Sequence, residues 1–110
     1  CVLVQAETAN ALSRIEAMGK IDGLDGIFIG PADLAASMGH LGNPRHPDVR
    51  KAIDDAIRRI RKTGKAAGIL TGHMEDAKEF IAAGANFCAV GNDTGLLVNA
   101  TSALVKAFKG

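Results

Sequence analysis

Hydrophobic and polar residues alternate along this chain in two rhythms. Four short apolar runs, at residues 1–4, 26–29, 64–72 and 86–90, are bounded by glycine, proline or polar residues, and runs of this length predict strands. Elsewhere apolar residues recur every three or four positions, the spacing of an amphipathic helix. Leu12 and Ile15, with Ala11 and Met18, mark a helix over 9–18 that Gly19 stops. A short helix over 34–38 closes on Gly39, and residues 40–47, which hold two of the three prolines, form a loop. The strongest periodicity opens at Asp48: Val49, Ile53, Ile57 and Ile60, with Ala52 and Ala56, form one stripe. Arg50, Lys51, Asp54, Asp55, Arg58, Arg59 and Arg61 cover the opposite face, which reads as a solvated surface. A helix over 74–83 turns Ala77, Phe80 and Ile81 inward and ends at Gly84. A last helix over 94–108, capped by Gly91-Asn92-Asp93-Thr94, offers Leu96, Leu97, Ala100, Ala103, Leu104, Ala107 and Phe108 as a broad apolar face.

The order β-α-β-α-β-α-β-α predicts an α/β fold with parallel strands joined by helical crossovers. Because all four strands are apolar, both faces of the sheet are expected to be covered. Four βα units suit either a small open sheet or half of an eightfold barrel.

Composition narrows the partners. With 110 residues, 47% of them hydrophobic and 23% charged, the chain has the make-up of one small domain with a core. A net charge of +1, with both signs interspersed, supplies no field to recruit nucleic acid or an anionic membrane surface. No apolar run approaches the roughly 20 residues of a membrane span. A small-molecule or protein partner and a cytoplasmic setting are expected. Cys1 and Cys88 lie in apolar, strand-like surroundings and are expected as small buried hydrophobes rather than a disulfide or metal ligands. The chain opens on Cys1 within a strand, which predicts a piece of a longer polypeptide.

Two acids carry the candidate chemistry. Glu7 and Asp33 each stand just past the end of a strand, one βα unit apart, and so share the rim where parallel-barrel enzymes keep their active sites. There they could share a hard divalent cation, or each could cap the helix that follows it. His40 and His46 in the loop, and His73 before a helix, suit surface or capping roles. The glycines around Asn92 precede a helix but lack a nucleotide-binding pattern.

Three segments taken together change the picture: Val4-Gln5-Ala6-Glu7-Thr8, Gly30-Pro31-Ala32-Asp33-Leu34-Ala35-Ala36-Ser37-Met38-Gly39 and Gly91-Asn92-Asp93-Thr94-Gly95-Leu96-Leu97. Along its whole length the chain resembles the C-terminal half of the HpcH/HpaI family of metal-dependent 2-oxo-acid aldolases, of the 4-hydroxy-2-oxoheptanedioate type. The resemblance implies a (β/α)8 TIM barrel, of which residues 1–110 would supply four βα units as a single fragment. It implies that Glu7 and Asp33 hold Mg²⁺, Mn²⁺ or Co²⁺. Gln5 and the backbone N–H groups of Ala32 and Asp33 would contact the carboxylate and keto oxygens of pyruvate. Leu70 would wall the aldehyde end, although its place after the third strand suits ordinary core packing equally well.

The family's catalytic base and transition-state arginine lie in its other half, so the resemblance assigns no catalytic residue here. The implied reaction is cleavage of a 4-hydroxy-2-oxo acid to pyruvate and an aldehyde, or the reverse, impaired in this piece. The implied partners are the 2-oxo acid and either further copies of the chain, as in family hexamers that exchange the last helix, or a complementary half-barrel. Two other readings are an association module without chemistry of its own and a citrate-lyase β-type relative.

Overall fold

The computed structural model describes residues 1–109. The elements are β1 (Leu3–Ala6), α1 (Ala9–Leu12), α2 (Ile15–Gly19), β2 (Gly26–Ile29), α3 (Pro31–Ser37), α4 (Pro47–Lys62), β3 (Ala66–Leu70), α5 (Met74–Ala83), β4 (Phe87–Ala89) and α6 (Asp93–Lys109). The strands form one parallel sheet in the order β1-β2-β3-β4. That order decides between the two architectures. A doubly wound sheet reverses direction at a switch point, whereas right-handed crossovers that always step the same way leave their helices on one face. The fold is therefore a stretch of barrel wall, four βα units resembling the C-terminal half of a (β/α)8 barrel.

One sheet face alone is covered, which corrects the expectation of two. Alternation along the strands sends Ala6, Ile27, Ile29, Ala67 and Ile69 toward the helices, where all are fully buried. Leu3, Phe28, Leu70 and Phe87 fall on the other side by the same register. Of these, Leu3, Leu70 and Phe87 are exposed. In a barrel this second face is the interior, which closes only when further strands complete the wall.

The core lies between β2, β3 and α4. Val49, Ile53, Ala56, Ile57 and Ile60 are fully buried, as their spacing requires, and each large side chain among them contributes about 1.5–3 kcal/mol by burial. The charged face of α4 is only partly solvated. Arg59 donates Nε and Nη2 to the two carboxylate oxygens of Glu16, both at 2.6 Å, and so ties α4 to α2. Arg50 reaches across to α5. Arg58 and Asp54 form an ordinary exposed pair one turn apart.

Other expectations also shift. The helix expected over 9–18 breaks at Ser13 and Arg14. The Ser13 hydroxyl donates to the Asn10 carbonyl at 2.6 Å, and Arg14 leaves helical dihedrals. Cys1 is exposed, because strand pairing begins two residues later at Leu3. Cys88 is half-buried, and burial pushes its thiol pKa up. Ile81 is 52% exposed, since Ala77 and Phe80 occupy the core side of α5. No residue of α6 is buried, because among the described residues there is no strand beyond β4 for it to pack on. No helix among the described residues is long and apolar enough to cross a membrane.

Candidate active site

At the C-terminal edge of the sheet β1 and β2 run on side by side, with Gly30 N donating to the Ala6 carbonyl at 3.2 Å. Gln5 and Glu7 are two residues apart on extended backbone, so both side chains take the open face. Gln5 Nε2 donates to Glu7 Oε2 at 2.7 Å. A Cβ at position 30 would sit 3.0 Å from Gln5 Nε2, 3.0 Å from Glu7 Cβ and 3.1 Å from Glu7 Oε2. Glycine at this point leaves the space in which the amide and the carboxylate lie over the strand end.

The chain then enters α3 through Gly30, with Pro31 at the first helical position. Proline suits that position because its φ is preset and it has no N–H to leave unpaired. Leu34 N bonds to the Gly30 carbonyl at 2.9 Å, so the amides of Ala32 and Asp33 precede the first intrahelical bond and are left as donors. No side chain caps this end, and Asp33, in the first turn, is exposed. At α1 the cap is Thr8, whose Oγ1 accepts from Ala11 N at 3.0 Å. Neither acid therefore serves as a cap, the alternative role open to both from the sequence. Among the described residues neither is held in an ion pair. Gln5 and Glu7 are brought together over Gly30, and the carboxylate oxygens of Glu7 and Asp33 are of the donor type that a hard divalent cation would take.

Beside these groups a cavity of about 220 Å³ opens over the end of β3. Ala32, Pro44, Ile53, Leu70 and Phe80 give it apolar walls, and Arg45 and Asp76 are among its polar lining. Ala32 and Leu70 are brought together here, while Gln5, Glu7 and Asp33 lie outside this lining. Leu70, on the sheet face that a complete barrel would enclose, is 39% exposed and lines this cavity.

Asp76 was not singled out from the sequence. Its place in the first turn of α5 beside Glu75 reads as an acid favouring the helix dipole, and nothing local says that loop and helix arginines converge on it. It is 3% exposed. It accepts from Arg45 Nη2 at 3.2 Å and from Arg50 Nη1 at 2.5 Å, and Arg45 Nε lies 3.1 Å from its second oxygen. Burial pushes its carboxyl pKa up, but the hydrogen bonds and charges of Arg50 and Arg45 outweigh that and hold it below the usual carboxylate range.

Among the described residues, the histidine–carboxylate pairs are His40–Asp48 and His46–Asp48, and neither involves Glu7 or Asp33. His46 caps α4, its Nδ1 accepting from Asp48 N at 3.2 Å. Its ring stacks on that of His40 with centroids 3.6 Å apart. His73 stands at the start of α5 without a side-chain cap bond. Before α6, Asn92 Oδ1 accepts from Gly95 N at 2.7 Å, so that amide is already engaged.

Residues 1–100 match the family described as HpcH/HpaI aldolase/citrate lyase. The chain is 57% identical over 108 residues to the 4-hydroxy-2-oxovalerate aldolase of Rhodococcus jostii, covering 98% of this chain and 42% of that protein. It is 54% identical over 108 residues to the 4-hydroxy-2-oxo-heptane-1,7-dioate aldolase of Klebsiella pneumoniae subsp. pneumoniae, covering 98% of this chain and 41% of that protein. Among solved structures, an HpcH/HpaI aldolase/citrate lyase family protein from Burkholderia cenocepacia J2315 superposes with a TM-score of 0.89 at 36% identity, covering 100% of this chain and 43% of that one. The chain thus spans about two fifths of the length of the curated relatives it matches.

Proposed function

The chain belongs to the HpcH/HpaI aldolase/citrate lyase family, and from that premise we propose that its protein cleaves 4-hydroxy-2-oxo acids to pyruvate and an aldehyde, with Glu7 and Asp33 as the ligands of a divalent cation. The observation that carries this reading is the Gln5–Glu7 pair laid over Gly30, next to the two free amides of α3. The names of the relatives support the aldolase class.

In this reading the cation, as Mg²⁺, Mn²⁺ or Co²⁺, supplies Lewis-acid polarisation of the two adjacent oxygens of a 2-oxo acid. The chain's own residues do the rest of the positioning. Gln5 holds the Glu7 carboxylate in one orientation by donating to one oxygen, which leaves the other free. The amides of Ala32 and Asp33 receive the oxo acid's carboxylate, and their alignment at a helix start favours negative charge there. Pro31 keeps the turn rigid so that both amides point one way. Leu70 and Ala32 form an apolar wall that keeps water from the bond being broken. The base and the transition-state arginine of this reading are not among these residues, so the isolated chain holds metal and oxo acid without turnover. A cytoplasmic setting, which would keep the two free thiols reduced, belongs to the same reading.

The test is a pair of measurements on the 110-residue chain. Mn²⁺ titration should give one site that Glu7→Gln and Asp33→Asn each weaken by about tenfold or more, as loss of one of few ligands does. Pyruvate release from 4-hydroxy-2-oxo acids should stay at background. Mn²⁺ affinity unchanged by both substitutions would remove the proposed ligands, and robust turnover lost on Glu7→Gln would show that the other half is dispensable.

A second reading, association through an unfilled surface, is supported by α6. Leu96, Leu97, Leu104 and Phe108 are 65%, 67%, 59% and 86% exposed, an apolar surface of a kind that marks an interface. Sedimentation velocity should show species larger than one chain, and a stable, compact monomer would count against it.

A further inference from the structure

Away from the Glu7–Asp33 rim, the loop between α3 and α4 gathers three side chains of metal-ligand type. We propose that His40, His46 and Asp48 form a second, independent metal site, suited to a late first-row cation such as Zn²⁺, that clips this loop to the first turn of α4.

The geometry is close to what such an ion requires. One ligand atom from each residue lies within 4.8 Å of the others. His40 Nε2 and His46 Nδ1 are each 3.8 Å from the same oxygen of Asp48, Oδ2. Zinc bonds of about 2.0–2.1 Å in a tetrahedron put ligand atoms roughly 3.3–3.4 Å apart. The two separations at the Asp48 oxygen exceed that by roughly 0.5 Å, and closure also needs one of the stacked rings to turn. The side chains have room for this, at 26%, 33% and 70% exposure for His40, His46 and Asp48.

The backbone beneath them is held in place. His40 N bonds to the Ala35 carbonyl at 2.7 Å, Asn43 N to His40 at 2.9 Å, His46 N to Asn43 at 3.1 Å and Arg50 N to His46 at 3.0 Å. Pro44 and Pro47 restrict the segment further. The nearest basic side chain in the loop, Arg45, is drawn onto Asp76. Anchored ligands lose little freedom on binding, which favours a short loop as a chelate.

Binding carries one structural cost that also gives it a signature. The two rings are stacked within 13° of parallel, so their nitrogens do not yet converge on a point. One ring must turn, and His46 Nδ1 must give up the Asp48 amide it now accepts from. Metal and helix cap thus compete for the same lone pair.

Selectivity keeps this site distinct from the first. Imidazole nitrogens favour zinc, nickel and copper, whereas carboxylate and amide oxygens favour magnesium and manganese. The proposal therefore does not rest on the aldolase reading.

The experiment is calorimetric titration of the 110-residue chain with Zn²⁺ in a Glu7→Gln/Asp33→Asn background, which removes the other candidate ligands. One equivalent of Zn²⁺ should still bind. His40→Ala and His46→Asn should each weaken it tenfold or more; asparagine is a good helix cap, so His46→Asn removes the ligand while α4 stays formed, as circular dichroism would check. In ¹⁵N NMR the Asp48 amide should move with the first equivalent. No Zn²⁺ binding in this background, or binding unchanged in both histidine variants, would overturn the proposal.

Discussion

Asp76 is the residue whose removal should report most directly on how the site's rim is held. Asp76→Ala deletes an acceptor that serves two guanidinium groups, Arg45 at 3.1 and 3.2 Å and Arg50 at 2.5 Å. Stripping one partner from a fully buried pair costs about 3–5 kcal/mol. Here the full figure does not apply. The Arg45 side chain is 53% exposed and recovers water, while that of Arg50 is 25% exposed and keeps Glu79 as a partner. A loss of about 2–3 kcal/mol follows from one half-buried cation with a single acceptor left. Asp76→Asn keeps the volume and one carbonyl oxygen, so it should cost about 1–2 kcal/mol. Urea unfolding followed by circular dichroism measures both. With a slope of about 1–1.5 kcal/mol/M for a small chain, the midpoint should fall by roughly 2 M for alanine and 1 M for asparagine. A fall below about 0.5 M in both variants would refute the reasoning, because it would mean that the paired charges do not hold loop 40–46 to α5.

Acid should destabilise the chain through the same class of contact. Glu16, clamped by Arg59, has its carboxyl lowered from 4.5 to about 2, and Asp76 is also lowered. A depressed carboxylate contributes stability above its unfolded pKa and loses it as pH falls through the folded one. Stability should therefore drop between pH 4.5 and about 2. Glu16→Gln should flatten that limb, and an unchanged pH profile would contradict the assignment. Gly30→Ala should weaken Mn²⁺ binding by about tenfold, since the new Cβ must push Gln5 and Glu7 aside. Its φ of −99° suits alanine, so thermal unfolding should shift little; equal Mn²⁺ affinity would show that the cradle is not needed. Ile57→Ala, at the centre of the buried stripe of α4, should cost about 3 kcal/mol in the same urea assay.

Much of the fold is legible in residue patterns because periodicity is a local property. The stripe of Val49, Ile53, Ile57 and Ile60 specifies α4 and its buried face without reference to any other element. Glycine and proline likewise mark the exit from β2 into α3. The rim position of Glu7, Ala32 and Asp33 follows from their places after strand ends, and that of Gln5 from its place in the last half of β1. The sequence alone, then, determined a β-α repeat and which polar residues stand at its strand ends.

Long-range questions needed the tertiary structure. Whether the repeat winds one way or reverses is set by which strands pair, and only the order β1-β2-β3-β4 excludes a doubly wound sheet. That order also explains why apolar strands leave Leu3 and Phe87 exposed, and why α6, the last element, buries nothing. Arg45, Arg50 and Asp76 carry no shared local signal, being 26 and 31 residues apart in the chain. Their convergence, like the Gln5–Glu7 pair resting on Gly30, exists only once the strands are in register. Local side-chain periodicity follows from backbone geometry at each residue, whereas a site is a meeting of distant residues, which only the packing of complete elements brings about.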